Sequence, residues 1–192
     1  MHRNELLNIL SAYKPRFIDE IAYIKRAIYF IQQNEHIFDR ASPLHITASA
    51  WVVSPDRQKV LLMHHRKLDA WLQPGGHADG DNDVIRVALR EGMEETGLAA
   101  ADIHLVNAEI FDIDMHNVAA SADVPAHGHI DVRFLVEVDD TLSIPGNDES
   151  HEVKWIPLYQ VLQYNNFRST YRMLEKTRSL RNHNTCYTRR YA

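Results

Sequence analysis

The chain of 192 residues is long enough for one domain with a sizeable core and short for two. A formal net charge of −5 argues against a dedicated nucleic-acid binder, and no apolar run is long enough to span a bilayer. The single cysteine, Cys186, excludes an internal disulfide and a thiolate metal cluster, whereas twelve histidines leave imidazole chemistry open.

The first residues open an amphipathic pattern without the apolar segment and cleavage site of a secretory signal, so a cytoplasmic location is the expectation. Leu6, Ile9, Leu10 and Tyr13 follow helical spacing, and Pro15 suits the first turn of a second helix whose stripe is Phe17, Ile21, Ile24, Ile28 and Ile31. Residues 1–40 therefore read as a helical extension packed on the core or on a second copy of the chain, the latter giving a homodimer. Asp39-Arg40-Ala41-Ser42-Pro43 is a connection, after which residues 44–53 and 59–65 read as strands of a hairpin turning at Ser54-Pro55-Asp56-Arg57-Gln58.

Residues 75–98, GGHADGDNDVIRVALREGMEETGL, place two glycines and an Asp-rich turn before a helix. Asn82 or Asp83 is suited to cap its start and Gly97 its end. Glu91, Glu94 and Glu95 share one helical face, and Ile85, Leu89, Met93 and Thr96 are expected on the opposite, sheet-facing side. Three carboxylates near a helix C-terminus repel one another and the macrodipole, a cost that a divalent cation offsets. Taken alone, the glutamates read better as a solvated acidic face; the ordered pattern around them reverses that.

The pattern is Gly76-x5-Asn82-x7-Arg90-Glu91-Gly92-x-Glu94-Glu95-x-Gly97-Leu98, and it closely resembles the Nudix box, Gly-x5-Glu-x7-Arg-Glu-U-x-Glu-Glu-x-Gly-U with U apolar. Asn82 and Gly92 depart from it; Asp79, Asp81 and Asp83 are the acids at hand to substitute for the missing Glu. The resemblance spans residues 44–162 and implies an α/β fold, a Nudix-type α/β/α sandwich around a mixed sheet. It further implies Mg2+ or Mn2+ held by Glu91, Glu94 and Glu95 with a backbone carbonyl near Gly75 or Gly76. Glu91 would then be the general base and Arg90 the residue that orients a carboxylate.

Strands are expected at 103–113, 130–138 and 152–156, then a short helix over 157–162 and a longer one over 168–180. A Nudix domain over 44–165 would leave 166–192 as a C-terminal helix and basic tail, where Arg181, Arg189 and Arg190 alternate with Tyr187 and Tyr191. Strand alternation puts Asp112, Asp114 and His116 in one row and His127, His129, Asp131 and Arg133 in another. Side by side, the rows would line one pocket able to bind substrate or a second metal. Arg66, Trp71 and His77 beside the Gly-rich turn, and Glu149 and Glu152 near the last strand, complete the candidate substrate contacts.

The function expected from the resemblance is metal-dependent hydrolysis of a pyrophosphate bond in a nucleoside diphosphate linked to another group. A small nucleotide-type diphosphate would be its substrate. The alternative is a nucleotide-binding regulator whose altered box no longer catalyses. The isomerase branch of the superfamily is disfavoured, because it uses a core cysteine and Cys186 lies outside the matching region.

Overall fold

The computed structural model describes residues 3–120 and 124–188, with side chains described up to Leu180. Cys186 and the tail residues Arg181, Tyr187, Arg189, Arg190 and Tyr191 lie outside the described side chains. Two helices open the fold, α1 (Arg3–Ala12) and α2 (Ile18–Gln33). Pro15 falls in their connection rather than in a first turn. The start of α2 is instead closed by the Glu20 carboxylate, which accepts the backbone N–H groups of Arg16 and Phe17 at 2.9 Å each.

The sheet is built on β1 (Leu44–Val53). On one side β7 (His127–Glu137) runs parallel to it, in register from Leu44↔Gly128 to Val53↔Glu137. The other edge of β1 is divided. Its first half pairs with β4 (Gly75–His77) at Thr47↔His77 and Ser49↔Gly75, and its end pairs with β2 (Lys59–His65) at Val53↔Val60. The β2 strand in turn carries β3 (Ala70–Leu72) and β8 (Ser150–Pro157), while β5 (His104–Leu105) and β6 (Asp112–Val118) pair antiparallel with β7. The remaining helices are α3 (Val84–Thr96), α4 (Val161–Tyr164) and α5 (Arg168–Thr188).

Strand side chains alternate between faces. Ile46, Ala48, Ala50 and Val52 of β1, with Ile130, Val132, Phe134 and Val136 of β7, pack with Val84, Val87, Ala88, Leu89 and Met93 of α3. Trp51, Val53 and Leu135 point the other way into Met173 and Leu174 of α5, and the Trp51 indole N–H donates to Thr177 Oγ1 at 2.9 Å. The layers are thus α/β/α, with a mixed sheet between. Burying each such large apolar side chain stabilises the fold by about 1.5–3 kcal/mol. The stripe on α1 and α2 is used within the same protomer, since Leu6, Leu10, Ala27 and Ile31 are buried with Ile46, Val84 and Ile113. Among the described residues no helix is long and apolar enough to cross a membrane.

Three local expectations change. The strand expected over 103–113 is interrupted between β5 and β6, where Asn107 Oδ1 accepts the Glu109 N–H in a turn. The short helix begins only at Val161, because residues 157–160 form a turn closed by the Gln160 N–H on the Pro157 carbonyl. Finally, the buried stripe of α3 is Val84, Val87, Ala88, Gly92, Glu95 and Thr96, while Ile85, Leu89 and Met93 are only half-buried. Small Ala88 and Gly92 let the helix approach β1 closely, which turns Glu95 inward instead of opposite the packed face.

Candidate active site and an adjoining histidine cluster

Asp83 caps α3 by accepting the Arg86 N–H at 3.2 Å, and Gly97 ends it at φ +72°. Between β4 and this helix the backbone and the acids approach closely. The Gly75 N–H donates to Glu95 Oε2 at 2.8 Å, and a Cβ placed on Gly76 would stand 2.6 Å from the Glu91 carboxylate. Only glycine leaves room for that carboxylate against the strand. Arg90 pairs with Glu91 at 2.8 Å, reaches Glu94 at 3.2 Å and donates to the His77 carbonyl at 3.0 Å.

Burial pushes the Glu95 carboxyl up to about 8, with Glu91, Glu149 and Glu94 adding to the rise and the Gly75 N–H opposing it. Burial also raises Glu91, against the Arg90 guanidinium. Buried acids held this far from their ordinary range are relieved by a cation, and their oxygen donors suit Mg2+ or Mn2+. Glu91 lies against Gly76 and Glu95 against the adjacent Gly75, while the Glu94 side chain is 56% exposed.

Each of the turn aspartates is already engaged by a partner. Asp79 forms a bidentate pair with Arg40, Asp81 pairs with Arg86, and Asp83 caps the helix. Trp71 stacks on His64 at 5.2 Å and 8°, meets Tyr164 edge-on, and carries the Lys154 ammonium 5.0 Å above its ring. Arg66 is exposed and lies 3.3 Å from His151 Nδ1. Glu149 is near enough to raise both Glu91 and Glu95, whereas Glu152 is exposed and 3.6 Å from Lys154.

The two polar rows do lie side by side, paired Asp112↔Arg133, Asp114↔Asp131 and His116↔His129. They do not form one pocket. The carboxylates are taken by buried cations: Arg172 contacts Asp112 and Asp114 at 2.9 Å each, Arg133 contacts Asp131 at 2.7 Å, and Lys176 contacts Asp112 at 2.5 Å. Burial alone would raise Asp131 and Asp114, but Arg133 beside Asp131, and the His116 hydrogen bond with Arg133 and Arg172 beside Asp114, outweigh it and hold both below the usual carboxylate range. Ser49 adds a hydrogen bond to Asp131 at 2.8 Å. Lone pairs so occupied are not available to a metal.

The imidazoles separate from this network and gather at the other end of the rows. His127 and His129 of β7 meet His45 of β1 and His77 of β4, and their ligand atoms all lie within 4.8 Å of one another. His116 stays outside the group, edge-on to His129 at 5.2 Å and 3.3 Å from Asp114. Burial lowers His45, drives His77 down to about 4 with help from Arg40, and drives His129 down to about 3 with help from His116 and His77. These three are neutral near pH 7.

Comparison with known proteins decides the family. Residues 43–176 match the family model of the NUDIX domain. The chain belongs to that family. Among curated proteins it resembles phosphatase NudJ of Escherichia coli strain K12, 28% identical over 102 residues that cover 52% of this chain and 59% of the relative. It thus spans about three fifths of the length of the curated relatives it matches. A NUDIX-family hydrolase from Clostridium perfringens is similar at 25% identity and TM-score 0.54, over 71% of this chain and 97% of that one. An Ap4A hydrolase from C. elegans shares the fold at 16% identity and TM-score 0.57, over 70% of this chain and 96% of that one.

Within this Nudix domain, sequence reasoning missed His45. Its one local signal is a lone imidazole near the start of an apolar strand. Finding its partners needs the parallel register that sets His45 beside His129 and the antiparallel one that sets Thr47 beside His77.

Proposed function

We propose that this Nudix protein is a metal-dependent hydrolase that cleaves a pyrophosphate bond in a nucleoside diphosphate linked to a further group. The observation that carries the reading is the fit of Gly76 to Glu91, which leaves a carboxylate seated against the backbone with Arg90 at its side. Glu91, Glu94, Glu95 and a backbone carbonyl of the Gly75-Gly76 pair would hold Mg2+ or Mn2+. When bound, the metal supplies charge neutralisation of the diphosphate and a more acidic water.

The protein side of the reaction follows from the residues. Glu91, whose hold on a proton burial strengthens, is suited to accept one from the attacking water. Arg90 fixes that carboxylate through their ion pair and is itself anchored on the His77 carbonyl. Glu95 is held by the Gly75 N–H, which fixes one of its two oxygens against the strand. Trp71, Arg66 and Glu149 would be the residues that grip the rest of the substrate.

The test is nucleotide and phosphate release from a panel of nucleoside diphosphate derivatives with Mg2+, with Mn2+ and with chelator, run beside Glu94→Gln and Glu95→Gln. Metal-dependent cleavage of one substrate class, reduced by about two orders of magnitude or more in each folded variant, is expected. Hydrolysis that survives in both variants removes the box from the chemistry and overturns the reading.

A further inference from the structure

We propose that His45, His77, His127 and His129 form a second metal centre, a tetrahedral four-imidazole site for a divalent transition ion, with Zn(II) as the leading candidate. It is separate from the box acids in donor chemistry and in place. Strand alternation puts Gly76 on the α3 side of the sheet, against Glu91, and His77 on the other side with His45, His127 and His129.

The geometry of the rings is the first argument. Zinc–nitrogen bonds of about 2.0–2.1 Å at tetrahedral angles set neighbouring donor atoms about 3.3 Å apart and ring centres about 5.2 Å apart. His127 Nε2 and His129 Nε2 are separated by 3.1 Å. Five of the six ring pairs have centroid distances between 4.9 and 5.2 Å, and the sixth, His77 to His127, is 6.5 Å. A square-planar set would instead require two long diagonals, so the arrangement favours an ion that accepts tetrahedral coordination.

Hydrogen bonding is the second argument, and it is independent of ring placement. His45 Nδ1 lies 2.7 Å from the Ser42 carbonyl and His127 Nδ1 lies 2.9 Å from the Pro125 carbonyl. A carbonyl only accepts, so in both rings Nδ1 carries the proton and Nε2 presents a lone pair. A ligating histidine ordinarily donates its other N–H to a carbonyl or carboxylate in this way. His45 is 1% exposed, and its Nε2 is buried without a hydrogen-bond partner. Leaving such an atom unsatisfied destabilises the fold, and a metal bond removes that cost.

Four nitrogen donors select zinc or a neighbouring first-row ion over Mg2+, which demands oxygen. The protein supplies all four ligands, the mark of a structural rather than a catalytic zinc site. Its effect would be to clamp β4 onto β1 and β7. The clamped strand is the one that seats Gly76 against Glu91 and gives Arg90 its carbonyl, so the ion would hold the box in place from behind the sheet.

The test uses the full chain, stripped with chelator and titrated with Co(II) and with Zn(II) in excess Mg2+. One Co(II) per chain with intense visible bands of tetrahedral coordination, displaced by Zn(II), is expected. Affinity should fall at least a hundredfold in His45→Gln and in the more exposed His127→Ala, and remain within twofold in Glu91→Gln and Glu95→Gln. Zn(II) should also raise the melting temperature of the wild type and not of His127→Ala. Absence of tetrahedral Co(II) bands, or Zn(II) binding lost with the glutamates and kept in His127→Ala, overturns the proposal. Because these readouts need no substrate, they stand or fall apart from the hydrolase reading.

Discussion

The Arg90 guanidinium donates to the His77 carbonyl across 3.0 Å while pairing with Glu91 at 2.8 Å, so one side chain joins the acid helix to the strand that carries a cluster imidazole. Arg90 is 35% exposed, and pairs this accessible to solvent contribute little to stability. Arg90→Ala should therefore melt within the range of about 1 kcal/mol of the wild type. Its turnover should nevertheless fall about tenfold to a hundredfold, because Glu91 loses its positioning partner. Arg90→Lys keeps the charge without the planar fork and should recover only part of the rate. Comparing kcat with thermal stability checks this; a variant that loses both together would assign Arg90 to the fold.

Gly76 and Gly92 should respond to alanine in opposite directions. A methyl group on Gly76 would sit 2.6 Å from the Glu91 carboxylate, which has to swing away from Arg90 to admit it. Displacements of about 1 Å can cost a hundredfold in rate, so Gly76→Ala should fold with turnover lowered at least about tenfold. At Gly92 the added methyl meets Ala50 Cβ at 3.6 Å and Ile103 Cδ1 at 3.8 Å, both ordinary contacts. Gly92→Ala should stabilise the chain by about 0.5–1 kcal/mol through helix propensity alone, read as a higher urea midpoint.

Hydrophobic period and turn chemistry made the main strands and the α3 boundaries legible from sequence, and the box was legible through its resemblance to the Nudix pattern. Other features depended on contacts that local pattern does not encode. Gly75-Gly76-His77 has no periodicity, and β4 exists because Ala50 donates to the Pro74 carbonyl and β1 offers it an edge. The packed face of α3 was misplaced because Ile85, Leu89 and Met93 outweigh Ala88 and Gly92 in hydrophobicity, whereas close approach to β1 favours the small residues. Alternation did place Asp112, Asp114 and Asp131 beside the histidines. What it lacked was Arg172 and Lys176, brought from α5 to neutralise the carboxylates and leave the imidazoles as a separate group.

Glu20 ties the first helices to the last one, and its titration should be visible in acid stability. Its carboxylate is fully buried and is hydrogen-bonded by Lys176 and Tyr13. Lys176 also reaches the Phe111 carbonyl at 2.9 Å and Asp112 at 2.5 Å. Burial alone would raise Glu20, but the bonds from Lys176 and Tyr13 outweigh it and hold the group below its ordinary value. An unfolded glutamate takes up its proton near about pH 4.3, before the folded one does, so the unfolded chain binds more protons in that window. The stability Glu20 contributes is therefore complete above that pH and is lost as pH falls further. Lys176→Met leaves the carboxylate buried and unpaired, which should cost about 3–5 kcal/mol at pH 7. Burial then acts unopposed by the ammonium, the folded-state value rises, and the contribution changes sign: this variant should gain stability, relative to wild type, as pH is lowered from 7 toward 4. Adding Glu20→Gln to Lys176→Met removes the buried charge and should restore part of the loss. Urea midpoints of the three proteins at pH 7, 5 and 4 decide it, and pH curves that run parallel would show that Glu20 and Lys176 are not coupled.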